Sequence, residues 1–339
     1  MRDSLFVALR RCLFLCTVAL VVCAGVLPAR ATDHSRSPVR LAHATLILDF
    51  IPNAVHAGIY HALAAGYYRA HGIDLTIIPP TSTSDTLKLI IAGKADVGIA
   101  DGIDVATQIA EGRDAQAIMA LVQRPLAGLI ALKRSGISSA RGFEGKTIGI
   151  TGVPSDTVAA RTIIAHDGGN YGKVHVVTVG FNGVQALESG KIAAFTGFWP
   201  DDGTQVQHDG FPTRYFPLDE HGGPRYPGLV VFSTRARIAA DPALMRAFVA
   251  ATVQGYDDTL RNPIRSLNDL LAQNPTLKRS LTTAVLRAYL PLFRANATHY
   301  GVLNAGAISA LSAFLVKNGL IVHGFTAARY GTNRFLPAP

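Results

Sequence analysis

Cysteine is confined to three positions, Cys12, Cys16 and Cys23, all near the start of a 339-residue chain. Beyond them the sequence offers no disulfide, no thiolate metal site and no cysteine nucleophile, so its stability must come from packing. Runs of one charge are also missing. The formal net charge is +9, yet nowhere do four Lys or Arg follow one another, which argues for a dispersed basic surface and against a nucleic-acid groove. After residue 31 there is no stretch of 18 uninterrupted apolar residues, the length that reads as a membrane span. A His-Glu-x-x-His pair and a Gly-x-Ser-x-Gly elbow are absent as well, so neither a zinc protease helix nor a hydrolase nucleophile turn is encoded. His56 and His61 stand five apart and fall on different faces of a helix, so no metal centre is expected from them.

What is present begins with a leader. Arg2, Arg10 and Arg11 precede an apolar run from Cys12 to Leu27, and Ala29-Arg30-Ala31 places small residues at −3 and −1 of a cut before Thr32. Residues 1–31 therefore read as a secretory signal peptide, and the expected location is the periplasm or the exterior. Cys23 follows Leu20-Val21-Val22, a lipoprotein-like box with a bulky valine before the cysteine. A lipid anchor at Cys23 is the minor alternative.

The remaining chain alternates β-branched runs with helical patterns, the signature of an α/β protein. "ATLILDF", "IDLTIIPP", "DVGIAD" and "AQAIMALVQ" read as strands separated by helices over 56–71, 86–95 and 102–112. "AGLIALKRSG" leaves that unit, and "GKTIGITG", "VHVVTVG" and "IAAFTGFW" begin a second. "PGLVVFSTR" then returns, and residues 241–318 are almost wholly helical in pattern. This layout predicts a two-lobed clamp, with lobe 1 formed by 44–126 and 234–339 and lobe 2 by 127–233. The crossings are expected near Leu126–Leu132 and Gly228–Ser233, and the ligand between the lobes at the carboxyl ends of the strands.

Single residues sharpen the picture. Gly145-Lys146-Thr147 resembles a phosphate loop, but Ala140 stands where that pattern needs glycine, and the Lys-Thr leads into a strand. Trp199, the sole tryptophan, sits beside a proline and two aspartates and is suited to stack on a flat ring. The acidic pairs Asp201-Asp202 and Asp219-Glu220 follow predicted strands and read as loops facing the cleft. His61 and His71 read as surface residues.

The strings "DFIPNAVHAGIYHALAAGYYRAHGIDL", "LKLIIAGKADVGIAD", "VGFNGVQALESGKIAAFTGFWPDDG" and "YFPLDEHGGPRYPGLVV" resemble the thiamine-pyrimidine-precursor (NMT/THI-like) family of ABC-importer solute-binding proteins, over nearly all of residues 44–339. The resemblance implies a periplasmic-binding-protein fold of the second type, each lobe a mainly parallel sheet flanked by helices. It also implies an aminopyrimidine in the cleft, a permease and an ATPase as partners, no cofactor, and a monomer as the default state. Carried over by position, it assigns ligand contact to Phe50, Asn53, His56, Tyr60, Asp101, Trp199, Asp202 and Glu220. His56 is expected to line the cleft mouth or to orient the Pro-Asn turn.

Synthase relatives of the same family supply the competing class. The lysine and histidine they use after the third strand align with Ala100 and Asp104, and "HGGPRYPGLVV" stands in place of their cysteine cluster. A Schiff base cannot form on alanine, so the expectation is a binding protein without enzymatic activity. Another flat heterocycle, riboflavin-like, or an organic anion is the alternative ligand.

Overall fold

The computed structural model describes residues 41–82, 84–295 and 297–338. The expected leader, its cleavage site and Cys23 lie outside the described residues.

Two five-stranded sheets share one plan. In the first, β1 (Ala42–Ile47), β2 (Ile73–Ile78), β3 (Val97–Asp101), β4 (Gln116–Val122) and β10 (Leu229–Ser233) lie in the order β2-β1-β3-β10-β4. The second contains β5 (Ala127–Leu132), β6 (Thr147–Ile150), β7 (His175–Thr178), β8 (Ala194–Phe198) and β9 (Thr213–Pro217), ordered β7-β6-β8-β5-β9. In each, four strands point one way and the strand in the fourth position is antiparallel to both neighbours, with Val230 opposite Ala100 in one and Gly128 opposite Gly197 in the other. The order 2-1-3 reverses the progression of strands at β1, which opens a crevice at the strands' carboxyl ends.

Two departures from the sequence expectation are instructive. Leu229–Ser233 was expected to end the second lobe as a crossing, whereas it is the most enclosed strand of the first sheet, buried at all five positions. A continuous apolar run, Leu-Val-Val-Phe, suits a strand covered on both faces. The passages between sheets are residues 123–126 and 218–228. β9 was not anticipated, because Pro212 and Pro217 bracket it; at a sheet edge, terminal prolines are tolerated.

Helix starts follow their caps. Asp101 accepts the Ile103 N–H at 3.0 Å and starts the helix Gly102–Ala110. Asp241 accepts from Leu244 and Asn262 from Arg265, each followed by proline in the first turn, opening Pro242–Arg261 and Pro263–Gln273. Proline costs nothing there, since its missing N–H would be unpaired anyway. Helix Ala57–Ala64 stops at Gly66, whose φ of 76° is left-handed, so the single helix expected over 56–71 is two. Its crossing with Pro242–Arg261 is close: a Cβ on Gly58 would lie 2.5 Å from the Tyr256 ring.

The C-terminal helices cover the first sheet through Phe248, Tyr256, Tyr289 and Phe293. A second cluster unites Ile103, Val230 and Phe232 of the first sheet's side with Leu129, Ile148 and Phe216 of the second. The apolar core thus runs through both halves of the molecule. No described helix is long and apolar enough to cross a membrane.

Candidate functional site

The carboxyl ends of β1, β3, β6 and β8 converge on one cavity of about 1000 Å³, its open mouth included. From the first sheet come Asp49 and Phe50 after β1, and Asp101 and Asp104 at and beyond the end of β3. The second sheet supplies Thr151, Ser155 and Asp156 after β6, Phe181 after β7, and Phe198, Asp201 and Asp202 around the end of β8. Phe50 and Phe181 meet from opposite sides, ring centroids 4.4 Å apart and planes at 73°. That edge-to-face geometry is a favourable one for aromatic pairs.

Six aspartates therefore line one cavity, and among the described lining residues there is no Lys, Arg or His. Three of these carboxylates are tied to neighbours through several contacts. Asp49 bonds His56 Nε2 at 2.8 Å, and Asp202 accepts the Phe198 N–H at 2.8 Å. Asp156 accepts from the Thr151 N–H, the Thr151 hydroxyl and the Gly152 N–H at 2.8, 2.7 and 3.1 Å.

Burial raises the proton affinity of five of the six. Asp101 is pushed well above the usual carboxylate range by burial, then by Asp104, Asp156 and Asp49. Burial pushes Asp104 up to about 7, and a hydrogen bond from Ser155 only partly offsets it. Asp156 rises for the same reason in spite of its hydrogen bonds. Asp201 rises well above the ordinary value through burial, Asp202 and Asp49, while Asp202 is pushed up to about 6 by burial. Desolvation disfavours the charged form of an acid, and a neighbouring negative charge adds to it.

The eight residues expected to touch ligand divide sharply. Phe50, Asp101 and Asp202 line the cavity. Asn53 does not: its side chain accepts from Val55 N–H, capping the short turn Ala54–His56. His56 is fully buried rather than at a mouth, its Nδ1 accepting the Asn53 N–H at 3.2 Å while Nε2 faces Asp49. It thus orients the Pro-Asn turn, and stands behind the cavity wall. Tyr60 is a buried core residue of its helix. Trp199 packs against the first sheet's core with the Arg124 guanidinium 5.4 Å above its ring, outside the lining. Glu220 pairs with Arg124, which also grips Asp219 at 2.7 Å, so this acid faces the crossings rather than the cavity.

Asp202 is not in a loop either, but is the first residue of a helix, Asp202–His208. His61, expected at the surface, is fully buried between Asp269 at 2.6 Å and Asp258 at 3.4 Å; His71 is exposed. Asp49, Asp104, Asp156 and Phe181 were missed. Their shared signal is position: each follows a strand of the structure by two to six residues. Among the described residues, no group of three His, Cys, Asp or Glu has metal-holding geometry.

A sequence model of the family described as NMT1/THI5 like matches residues 53–266, well over half of the chain. The chain belongs to this family. Within the NMT1/THI5-like family it is 28% identical over 255 residues to a formylaminopyrimidine-binding protein of Halalkalibacterium halodurans, covering 75% of this chain and 77% of that one. It is 26% identical to a 4-amino-5-hydroxymethyl-2-methylpyrimidine phosphate synthase of Legionella pneumophila, covering 86% and 92%. In structure it is similar to the alkanesulfonate-binding protein SsuA of Xanthomonas axonopodis pv. citri, with a TM-score of 0.69 at 16% identity over 86% and 99% of the two chains. That likeness establishes the two-lobed fold of type II periplasmic binding proteins.

Proposed function

We propose that this chain is the exported solute-binding component of an ABC importer, and that its cavity takes an aminopyrimidine of the thiamine-precursor class for delivery to permease and ATPase subunits. The observation that carries the reading is the composition of the cavity: aromatic walls, and a carboxylate at every charged lining position. A flat ring stacks on Phe50 or Phe181. Ring-bound amino groups are donors, and carboxylates are acceptors that bind them strongly when buried. The formylaminopyrimidine-binding relative supports the same class.

The same composition weighs against the alternatives. An organic anion needs a facing cation, and none lines the cavity among the described residues. Synthase chemistry of the kind the resemblance describes needs a lysine; Ala100 lines the cavity where that lysine aligns, and no lysine joins it.

A thermal-shift screen of the purified chain tests this, using a 4-aminopyrimidine, riboflavin, nitrate and taurine. A ligand at about 100 times its dissociation constant stabilises the folded state by about 2.7 kcal/mol. The melting point should rise by several degrees with the aminopyrimidine, and stay unchanged with nitrate and taurine. A shift with an anion alone would overturn the ligand class.

A further inference from the structure

Resting on that solute-binding reading, we propose that the solute is an organic cation, a flat nitrogen heterocycle bearing a protonated amine, and that its positive charge is the counter-ion holding the two acidic walls together. Three of the six carboxylates, Asp49, Asp101 and Asp104, stand on the first sheet's side, and three, Asp156, Asp201 and Asp202, on the second's. Among the described residues, none of them pairs with a Lys or Arg, and Asp49 meets only the Nε2 of His56, an imidazole whose Nδ1 accepts the Asn53 N–H. The remaining polar lining is Thr151, Ser155, Thr196 and Tyr226. None of these brings a positive charge.

The walls feel one another. Asp49 and Asp156 raise the proton affinity of Asp101, and Asp49 that of Asp201, so like charges oppose each other across the cavity. Buried carboxylates without a counter-charge oppose closure, and repulsion grows as the site dries. With a neutral heterocycle in place, the acids raised furthest either keep their protons or face that repulsion as the site dries. A protonated amine removes it.

An independent observation points the same way. Tyr226 lines the cavity, is 1% exposed, and its hydroxyl has no partner. Burial, with Asp101 and Asp104 nearby, keeps that phenol neutral. A buried hydroxyl normally finds a partner, and beside two acids its oxygen suits an ammonium donor. No described acidic group has the arrangement of a metal site, so the cation is organic.

The test compares 4-amino-5-aminomethyl-2-methylpyrimidine, an ammonium at pH 7.5, with its neutral 5-hydroxymethyl counterpart by titration calorimetry. The ammonium compound should bind at least tenfold more tightly. In a chain carrying Asp104→Asn and Asp156→Asn, one from each wall, the preference should fall below threefold. Each single variant is measured alongside, so that a misfolded double variant does not decide the matter. Small-angle scattering gives a second readout: the ammonium compound should reduce the radius of gyration of the parent chain, and the neutral one should do so less. Equal or tighter binding of the neutral compound overturns the cation while leaving the solute-binding reading intact. Binding of neither overturns that reading, and the cation with it.

Discussion

Trp199 lies beneath the Arg124 guanidinium, and its ring is half-buried against the first sheet's core. Phe181, a less conspicuous residue, lines the cavity and meets Phe50. The two rings therefore carry different roles. Trp199→Phe keeps a ring at the packing site and should leave aminopyrimidine affinity within about threefold. Phe181→Ala removes a cavity wall and should cost about tenfold, or about 1.4 kcal/mol; calorimetry on both variants checks the contrast, and the reverse order would place the ligand elsewhere. At this scale the sequence was legible only in part. Phe50, Asp101 and Asp202, carried over by position from the family resemblance, line the cavity. Asn53, His56 and Tyr60 were misplaced because a motif marks which residues recur together, not which of them turns a side chain inward. Here Asn53 and His56 cap each other's turn and present Asp49 instead.

Elements were easier to read, since strand and helix periods are local properties. The parallel strands and their helices stand where alternation and capping signals put them. Misreadings came where tertiary context decides: the proline-bracketed β9, the short helix Asp202–His208, and β10, whose sheet cannot be inferred from its own residues. The helix Gly102–Ala110 shows how tightly such context binds. A Cβ at Gly102 would lie 2.2 Å from the Pro227 carbonyl oxygen, in the passage leading to β10. Gly102→Ala should therefore force the helix start away from that passage. Overpacking of this kind costs about 1–3 kcal/mol, and each kcal/mol lowers the melting point by about 2–4 °C in domains of 150–250 residues. A thermal melt matching the parent chain would show that the passage yields freely.

The whole molecule joins two sheets of matching order across two passages, with Arg124 of one passage bonded to Asp219 of the other at 2.7 Å. Matching sheets aim their strand ends at one cavity, so the fold explains where the acids gather, though no single stretch of sequence announces six of them together. Asp202 offers the cleanest probe. Asparagine preserves an oxygen to accept the Phe198 N–H, now at 2.8 Å, while removing the negative charge and replacing the second acceptor oxygen with an NH2 donor. The deciding measurement is titration calorimetry of the Asp202→Asn chain beside the parent, with a 4-aminopyrimidine at pH 7.5. The account predicts at least a tenfold loss of affinity with an unchanged circular dichroism spectrum. Undiminished affinity would contradict the placement of the ligand in the acid-lined cavity.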